Sequence, residues 1–482
     1  MENFREKMNK REPRAPKVWE ALISLLGIMV IMAIGIVKFK TDPHIPMFIG
    51  VILASIIAYK IGYKWMEIER MMLSGIMQAL QAIMILMIVG MMVGVWLLSG
   101  TIPSMIYYGM KLLKPSYFLA TALIISAITS LATGSSWGTM GTMGIGLIGI
   151  ASGLGVPLPA AAGAIVSGAY FGDKLSPLSE TTNLAPAVSG TDVFSHVKYM
   201  MKGTVTAFII ALAFYTVYGI KLGISSGNVD TSNIQLIMNG IKDNFNINPI
   251  LLLPPIVVIV TIVLKVPALP GITFGLITAA ILSFIFQGAS LGDLLICANS
   301  GYECHTGVEV VDTLLTHGGL MSMSSAVLIS IIAMMFGGIM EGTGQLDVLV
   351  SKFTKYMKSS ASLVLGTELT CIISNITIPD QYISILGPGR MYAPVYRERG
   401  LHPKVLSNAL ESAGTVSAPL IPWTTGGMYI KGLLGISAVA YGKFAVFNWV
   451  MPIVTAIFAY IGWNVTYMTE EEKEEAELGR TV

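Results

Sequence analysis

Four acidic side chains, Asp173, Glu180, Asp380 and Glu411, stand among apolar and small residues. At membrane depth an ionised carboxylate costs at least about 2.5–3.5 kcal/mol unless a proton, a cation or a partner neutralises it. A carboxylate that trades H⁺ for Na⁺ is the simplest antiport device, because both ions compete for one charge. All four fall in polar, glycine-rich interruptions of apolar segments. The first interruption runs Thr133-Gly134-Ser135-Ser136-Trp137-Gly138-Thr139, and the second from Gly172 and Asp173 through Ser176, Pro177, Ser179, Glu180, Thr181 and Thr182 to Asn183. The third is Ser374-Asn375-Ile376-Thr377-Ile378-Pro379-Asp380-Gln381. The fourth opens with Glu411, passes Thr415 and Pro419, and closes with Trp423-Thr424-Thr425-Gly426-Gly427.

Backbone away from helical geometry leaves carbonyls and amides without partners, and hydrocarbon cannot supply them. The breaks must therefore face protein or a water-filled cavity. Unwound carbonyls together with Ser, Thr, Asn and Asp oxygens make the hard-oxygen cage that Na⁺ requires, while half-helix N-termini favour an anion. The candidate ion- and substrate-binding set is Ser135, Ser136, Asp173, Ser176, Ser179, Glu180, Thr181, Thr182, Asn183, Asn375, Thr377, Asp380, Glu411, Thr415, Thr424 and Thr425. Asp173, Ser176, Asn375 and Asp380 are the expected Na⁺ ligands. No catalytic residue is expected. Competing structural roles exist: Asp173 and Lys174 read also as an interfacial pair and Glu411 as a helix-start residue, while Arg390, outside this set, reads as a holder of a substrate carboxylate or as a loop anchor under the positive-inside rule. Glu368, in an unbroken apolar run, is open between the two.

The elements that must position these groups belong in a bilayer: 54% of the 482 residues are apolar and 12% are charged, with a mean hydropathy of +0.71. Apolar stretches able to cross about 30 Å of hydrocarbon recur from 18–37 to 443–463, several of them short or interrupted. The basic leader before Val18 lacks a small-residue cleavage site and is followed by further spans, so the first stretch reads as a retained helix. A net charge of +2 gives no reason to expect nucleic acid. Cys297, Cys304 and Cys371 have neither disulfide nor zinc spacing. The thirty methionines read as apolar filler. No cofactor is expected.

The sequence also matches itself without gaps at a shift of 244, as in 338 − 94 = 244, over about 75–136. Gly75/Gly319, Gly94/Gly338, Lys111/Lys355, Lys114/Lys358, Ser130/Ser374 and Thr133/Thr377 all pair. Positive charge falls on the N-terminal arm and on Lys60, Lys64 and Arg70 in the first half. In the second half it falls on Arg390, Arg397, Arg399 and Lys404, whereas 288–318 carries Asp293, Glu303, Glu309 and Asp312 without Lys or Arg. The positive-inside rule then orients the halves oppositely, with Lys111 and Lys114 as exceptions. Re-entrant hairpins over 116–150 and 360–390 keep the count of crossings odd per repeat. The expected fold is thus an all-α polytopic membrane protein of two inverted-topology repeats with re-entrant hairpins and broken helices. Its parts are a cytoplasmic arm (1–17), repeat one (18–222), a polar linker (223–247), repeat two (248–463) and an acidic cytoplasmic tail (464–482).

The run Gly172-Asp173-Lys174-x-Ser176-Pro177-x-Ser179-Glu180-Thr181-Thr182 closely resembles the NhaC family of sodium/proton antiporters, and Gly134-Ser135-Ser136-Trp137-Gly138-Thr139 is similar to that family too. The resemblance covers nearly the whole chain. It implies Na⁺/H⁺ exchange across the cell membrane or, as in some relatives, exchange of malate and protons for lactate and sodium. It places Asp173, Ser176, Ser179, Glu180, Thr181 and Thr182 in the coupling site. The family commonly has Asp where Glu180 stands, one methylene shorter. Expected partners are Na⁺, H⁺, the lipid bilayer and, on the second reading, malate and lactate; a homodimer is compatible with this build. An intramembrane hydrolase would need a catalytic motif that is not visible, and a channel would not need two matched pairs of broken helices.

Overall fold

The computed structural model describes residues 13–225, 231–264, 266–354, 357–378 and 380–477. Among them every regular element is helical, and β pairing is limited to two isolated bridges, Tyr302 with His317 and Leu401 with Tyr467. Helices satisfy their own backbone groups, which is what an apolar solvent demands.

Helix boundaries repeat through the chain. Thr101–Leu112 and Gln345–Thr354 open 244 residues apart (345 − 101), as the self-match requires. Beyond the hairpin tips the shift becomes 245: Leu158 and Pro403, Glu180 and Thr425, and Val193 and Ala438 open equivalent helices (425 − 180 = 245). The second tip is one residue longer.

Contacts between Trp65–Leu98 and its counterpart Ser324–Gly342 fix how the repeats are related. A Cβ on Gly75 would lie 2.1 Å from the Met334 carbonyl and 3.0 Å from Gly338 Cα, and one on Gly338 would lie 2.1 Å from the Met71 carbonyl. At the other end, a Cβ on Gly94 would lie 3.1 Å from Gly319 N. Gly75 is equivalent to Gly319 and Gly94 to Gly338, so the two contacts are images of each other under exchange of the repeats. Because 75 meets 338 and 94 meets 319, the equivalent helices run antiparallel. This is the inverted topology, read from contacts alone. Only glycine lets the backbones come this close, and close approach is what drives helix association in lipid.

Among the described residues five helices are long and apolar enough to span a membrane: His44–Ile61, Pro115–Thr133, Val193–Leu222, Leu269–Phe286 and Leu320–Gly342, or up to eight spans if three sharply bent pairs are counted as one each. The number is below that of the apolar stretches because the site helices are cut by glycine, proline and charge. The 223–247 stretch contains the amphipathic helix Thr231–Asn244, which buries Ile237 and Ile241. The 288–318 loop is likewise built, from Leu291–Ser300 and Glu309–Leu315 closed by the Tyr302–His317 bridge. Residues 1–12, Lys355 and the last five of the tail lie outside the described residues.

Candidate functional site

Each of the four breaks ends in a fresh helix N-terminus whose free amides are capped by a side-chain oxygen. Gly134, at φ +67°, turns the first hairpin, and Ser135 accepts the Gly138 N–H at 3.0 Å. Ser179 accepts from Thr182 N at 3.4 Å. At the second hairpin Asp380 accepts from the N–H groups of Tyr382 (2.9 Å) and Ile383 (3.3 Å). Thr424 accepts from Gly427 N at 3.0 Å.

The C-terminal carbonyls left by the breaks are met from the same places. Thr182 Oγ1 donates to the carbonyls of Asp173 (3.0 Å) and Lys174 (3.2 Å), and Asn183 Nδ2 to those of Pro177 (2.8 Å) and Ser179 (2.6 Å). In the second repeat Thr424 Oγ1 donates to Ala418 (2.6 Å) and Ile421 (3.0 Å). Thr182, Asn183 and Thr424 thus use their polar atoms to hold the unwound chain in shape.

The two hairpin tips and the first broken helix enclose a cavity of about 780 Å³. Its wall includes Ser135, Ser136, Asp173, Ser179, Glu180, Thr181 and Asp380 from the expected set. Asp173 and Asp380 are each 4% exposed. Asp173 Oδ2 accepts the Ser136 hydroxyl at 2.8 Å, joining the first hairpin to the first broken helix. Across the cavity the Tyr382 hydroxyl donates to Glu180 Oε2 at 2.6 Å, joining the two repeats. Trp137 stacks on Tyr429 with centroids 4.5 Å apart, and the Tyr429 hydroxyl donates to the Trp137 carbonyl at 2.7 Å.

Nine residues of the expected set lie off this wall. Ser176, Thr182, Asn183, Asn375, Thr377, Glu411, Thr415, Thr424 and Thr425 are not among its lining. Asn375 donates to the Gly414 carbonyl (2.6 Å) and Ser417 Oγ (2.9 Å) and accepts from Ser384 (2.8 Å), so both ends of its amide are engaged. Ser176 Oγ accepts from Leu178 N at 3.3 Å. Thr377 donates back to the Ile373 carbonyl at 2.8 Å, and Thr425 is buried. Of the four expected Na⁺ ligands, Asp173 and Asp380 therefore face the cavity, while Ser176 and Asn375 shape the backbone beside it. Among the described residues no group of three or more His, Cys, Asp or Glu converges as a metal centre.

Glu411 opens a π turn, Glu411–Thr415, and its Oε1 accepts from Thr181 at 3.2 Å. Thr181, on the cavity wall, also meets Ser179 Oγ at 3.1 Å. Lys174 does not pair with Asp173: it is fully buried, its ammonium has no hydrogen-bond partner among the described residues, and it lies within electrostatic range of Glu411 and Glu368. Arg390, open in sequence between a carboxylate holder and a loop anchor, is on the cavity wall together with Tyr382 and Glu341. Tyr382 carried a signal in sequence, an aromatic hydroxyl two residues past the capping Asp380. Glu341 carried none, since nothing local distinguishes it from a helix-end acid.

A family model described as the Na⁺/H⁺ antiporter family matches residues 168–463, which hold the second, third and fourth breaks. The chain is similar to the malate-2H⁺/Na⁺-lactate antiporter of Bacillus subtilis (34% identical over 97% of this chain and 100% of that one). It is similar also to the Na⁺/H⁺ antiporter NhaC of Alkalihalophilus pseudofirmus (34%, covering 92% and 95%) and to the arginine/ornithine antiporter ArcD of Halobacterium salinarum (35%, covering 97% and 96%). Among solved structures, the efflux pump MtrF of Neisseria gonorrhoeae aligns over 95% of this chain and 98% of its own, at a TM-score of 0.41 and 12% identity. With a family model spanning more than half of its length and relatives aligned nearly end to end, this chain belongs to the Na⁺/H⁺ antiporter family.

Proposed function

We propose that the protein is a secondary active antiporter that exchanges Na⁺ for H⁺ across the cytoplasmic membrane, with both termini on the cytoplasmic side. The observation that carries the reading is the gathering of Asp173, Glu180 and Asp380 from two separate breaks, one in each repeat, onto one cavity. Three acids in one such space repel each other and favour a proton or a cation. Ser135, Ser136, Ser179 and Thr181 supply hydroxyl oxygens on the same wall. Na⁺ and H⁺ are cargo here.

A second reading is coupled exchange of a small carboxylate, malate with protons inward against lactate with sodium outward. A volume of about 780 Å³ lies in the range of organic-ligand pockets and far above the roughly 30 Å³ of one water. Arg390 on the wall offers a planar fork for a carboxylate. Everted vesicles decide between the two. Exchange reading one predicts Na⁺-dependent collapse of a pH gradient with no organic anion added. Collapse only after malate and lactate are supplied would move the assignment to the second reading, and collapse under neither condition would end both.

A further inference from the structure

After Val446–Tyr460 the chain returns to the loop that carries Arg397 and Arg399. Two backbone bonds hold it there around the Leu401–Tyr467 bridge: His402 N–H donates to the Thr466 carbonyl at 2.9 Å, and Met468 N–H to the Gly400 carbonyl at 2.8 Å. The tail then turns at Thr469 into the helix Glu470–Glu477, where Glu472 Oε2 accepts the Thr469 N–H at 2.8 Å. The other oxygen of Glu472 lies 3.7 Å from His402 Nε2. His402 is 5% exposed, and the tail is part of what covers it.

The same imidazole also starts a helix. His402 is the N-cap residue of Pro403–Leu410, and its Nδ1 accepts the Lys404 N–H at 3.2 Å. With Nδ1 as acceptor, the neutral ring carries its proton on Nε2, toward Glu472. A second proton can bind only at Nδ1, where it sets a donor against an N–H and breaks the cap. It also places positive charge at a helix N-terminus. Burial, with the neighbouring Lys404 ammonium, holds the His402 pKa below its ordinary value against the pull of Glu472 and Asp192. Asp192 is exposed and accepts from the N–H groups of Phe194 (2.9 Å) and Ser195 (3.0 Å). The other titratable groups nearby are Tyr199, whose ring centroid is 5.7 Å from Lys404 Nζ, and His196, which meets Ser407 of the capped helix at 2.7 Å. Lys473 of the tail pairs with Glu470 at 2.7 Å.

We propose that His402 is a pH-sensitive latch: protonated from the cytoplasmic side, it releases the tail and uncaps Pro403–Leu410. In naming that side it rests on the antiporter reading above. Once released, the ring regains water and its ordinary pKa of about 6.5. Because the docked value is the lower one, docking is strongest above both values, weakens as pH falls through about 6.5 and stops weakening below the docked value. Glu472 stays ionised through this window, since the Thr469 N–H holds its carboxyl below the usual range. The eight-residue helix that His402 caps runs directly into the Glu411–Thr415 turn, where Glu411 accepts from Thr181 of the cavity wall at 3.2 Å. A proton bound at the tail thus loosens one end of a helix whose other end meets the site.

Hydrogen–deuterium exchange of the full-length protein reconstituted in lipid tests this without using transport. It is read on peptides covering 401–410 and 466–473 and corrected for the intrinsic pH dependence of amide exchange. From about pH 8 to about pH 5, bracketing the ordinary imidazole value, protection of both peptides in wild type should fall together, by up to about tenfold per pH unit. His402→Asn keeps an acceptor at the cap, removes the titration and leaves His196 in place, so its protection should not change with pH. Lys404→Met removes the neighbouring charge and should make the fall smaller than in wild type; it serves if His402→Asn does not fold. Protection that does not change with pH in wild type overturns the latch, as does a fall that persists in His402→Asn or is undiminished in Lys404→Met. The expected falls in a protein that shows no Na⁺/H⁺ exchange in vesicles would uphold the latch and remove only the antiporter reading.

Discussion

The two repeats share a backbone and differ in charge. Leu158–Leu175 and Glu180–Ser189 in the first match Pro403–Leu410 and Thr425–Leu434 in the second, and Ser179 and Thr424 cap equivalent helices in the same way. At the 245-residue shift, however, Asp173, Lys174 and Glu180 are replaced by Ala418, Pro419 and Thr425, while Glu411 has Val166 as its counterpart. The hairpin acid is unshared too: Asp380 corresponds to Ser135, and at the shift of 244 Glu368 corresponds to Ile124. Symmetry therefore resides in the scaffold, where equivalent inward- and outward-facing arrangements require it. The buried charges reside in what breaks that symmetry.

The largest expected effect comes from removing an unshared charge. Asp173→Asn and Asp380→Asn keep shape, and each should abolish Na⁺-driven proton movement in vesicles while protein remains in the membrane; normal exchange by both would show that the charges on the wall are incidental. Next comes the ionic competition. Because protons and Na⁺ oppose one another whether on one carboxylate or on neighbouring ones, the Na⁺ concentration for half-maximal exchange should rise as pH falls. The rise should approach about tenfold per pH unit for each obligatory proton, and a pH-independent value would exclude the coupling.

Shared features should give paired effects. Gly75→Ala and Gly338→Ala each place a methyl about 2.1 Å from a carbonyl oxygen, and each should lower stability by at least about 1–3 kcal/mol, read as thermal unfolding in detergent. Unequal losses would show that the crossing is less symmetric than its contacts. The smallest effects belong to the caps: Ser179→Ala and Thr424→Ala should each cost about 1 kcal/mol. Thr424 should cost more than Ser179 because its hydroxyl also serves two carbonyls.

Much of this scaffold was legible in sequence, for local reasons. Glycine spacing and Lys pairs gave the repeat, and Gly134, Pro177 and Pro379 interrupt apolar runs where no helix can continue smoothly. The same clues single out Ser135, Asp173, Ser179 and Asp380, which line the cavity. What stayed hidden depends on where distant segments meet. Glu180 bonds Tyr382 across 202 residues, and Thr181 bonds Glu411 across 230. No period in the sequence records such pairs. The separation of Lys174 from Asp173 was hidden for the opposite reason: neighbours in sequence are read as a pair, yet the helix turns them to different sides. Ser176 and Asn375 carry hard oxygens, yet in the fold those atoms bond the chain around them, Leu178 N–H for Ser176 and the Gly414 carbonyl, Ser384 and Ser417 for Asn375.

The double glycine contact between Trp65–Leu98 and Ser324–Gly342 has one more consequence, for the resting state of the molecule. The two ends pair equivalent glycines, Gly75 with Gly338 and Gly319 with Gly94, so exchanging the roles of the repeats returns this pair of approaches. Such a hinge sets no preferred side. The open direction in the absence of a gradient is then decided by the unpaired features alone, the buried charges and the tail docked through Leu401 and Tyr467. A single neutralising substitution among them should tilt the population toward one face without touching the hinge.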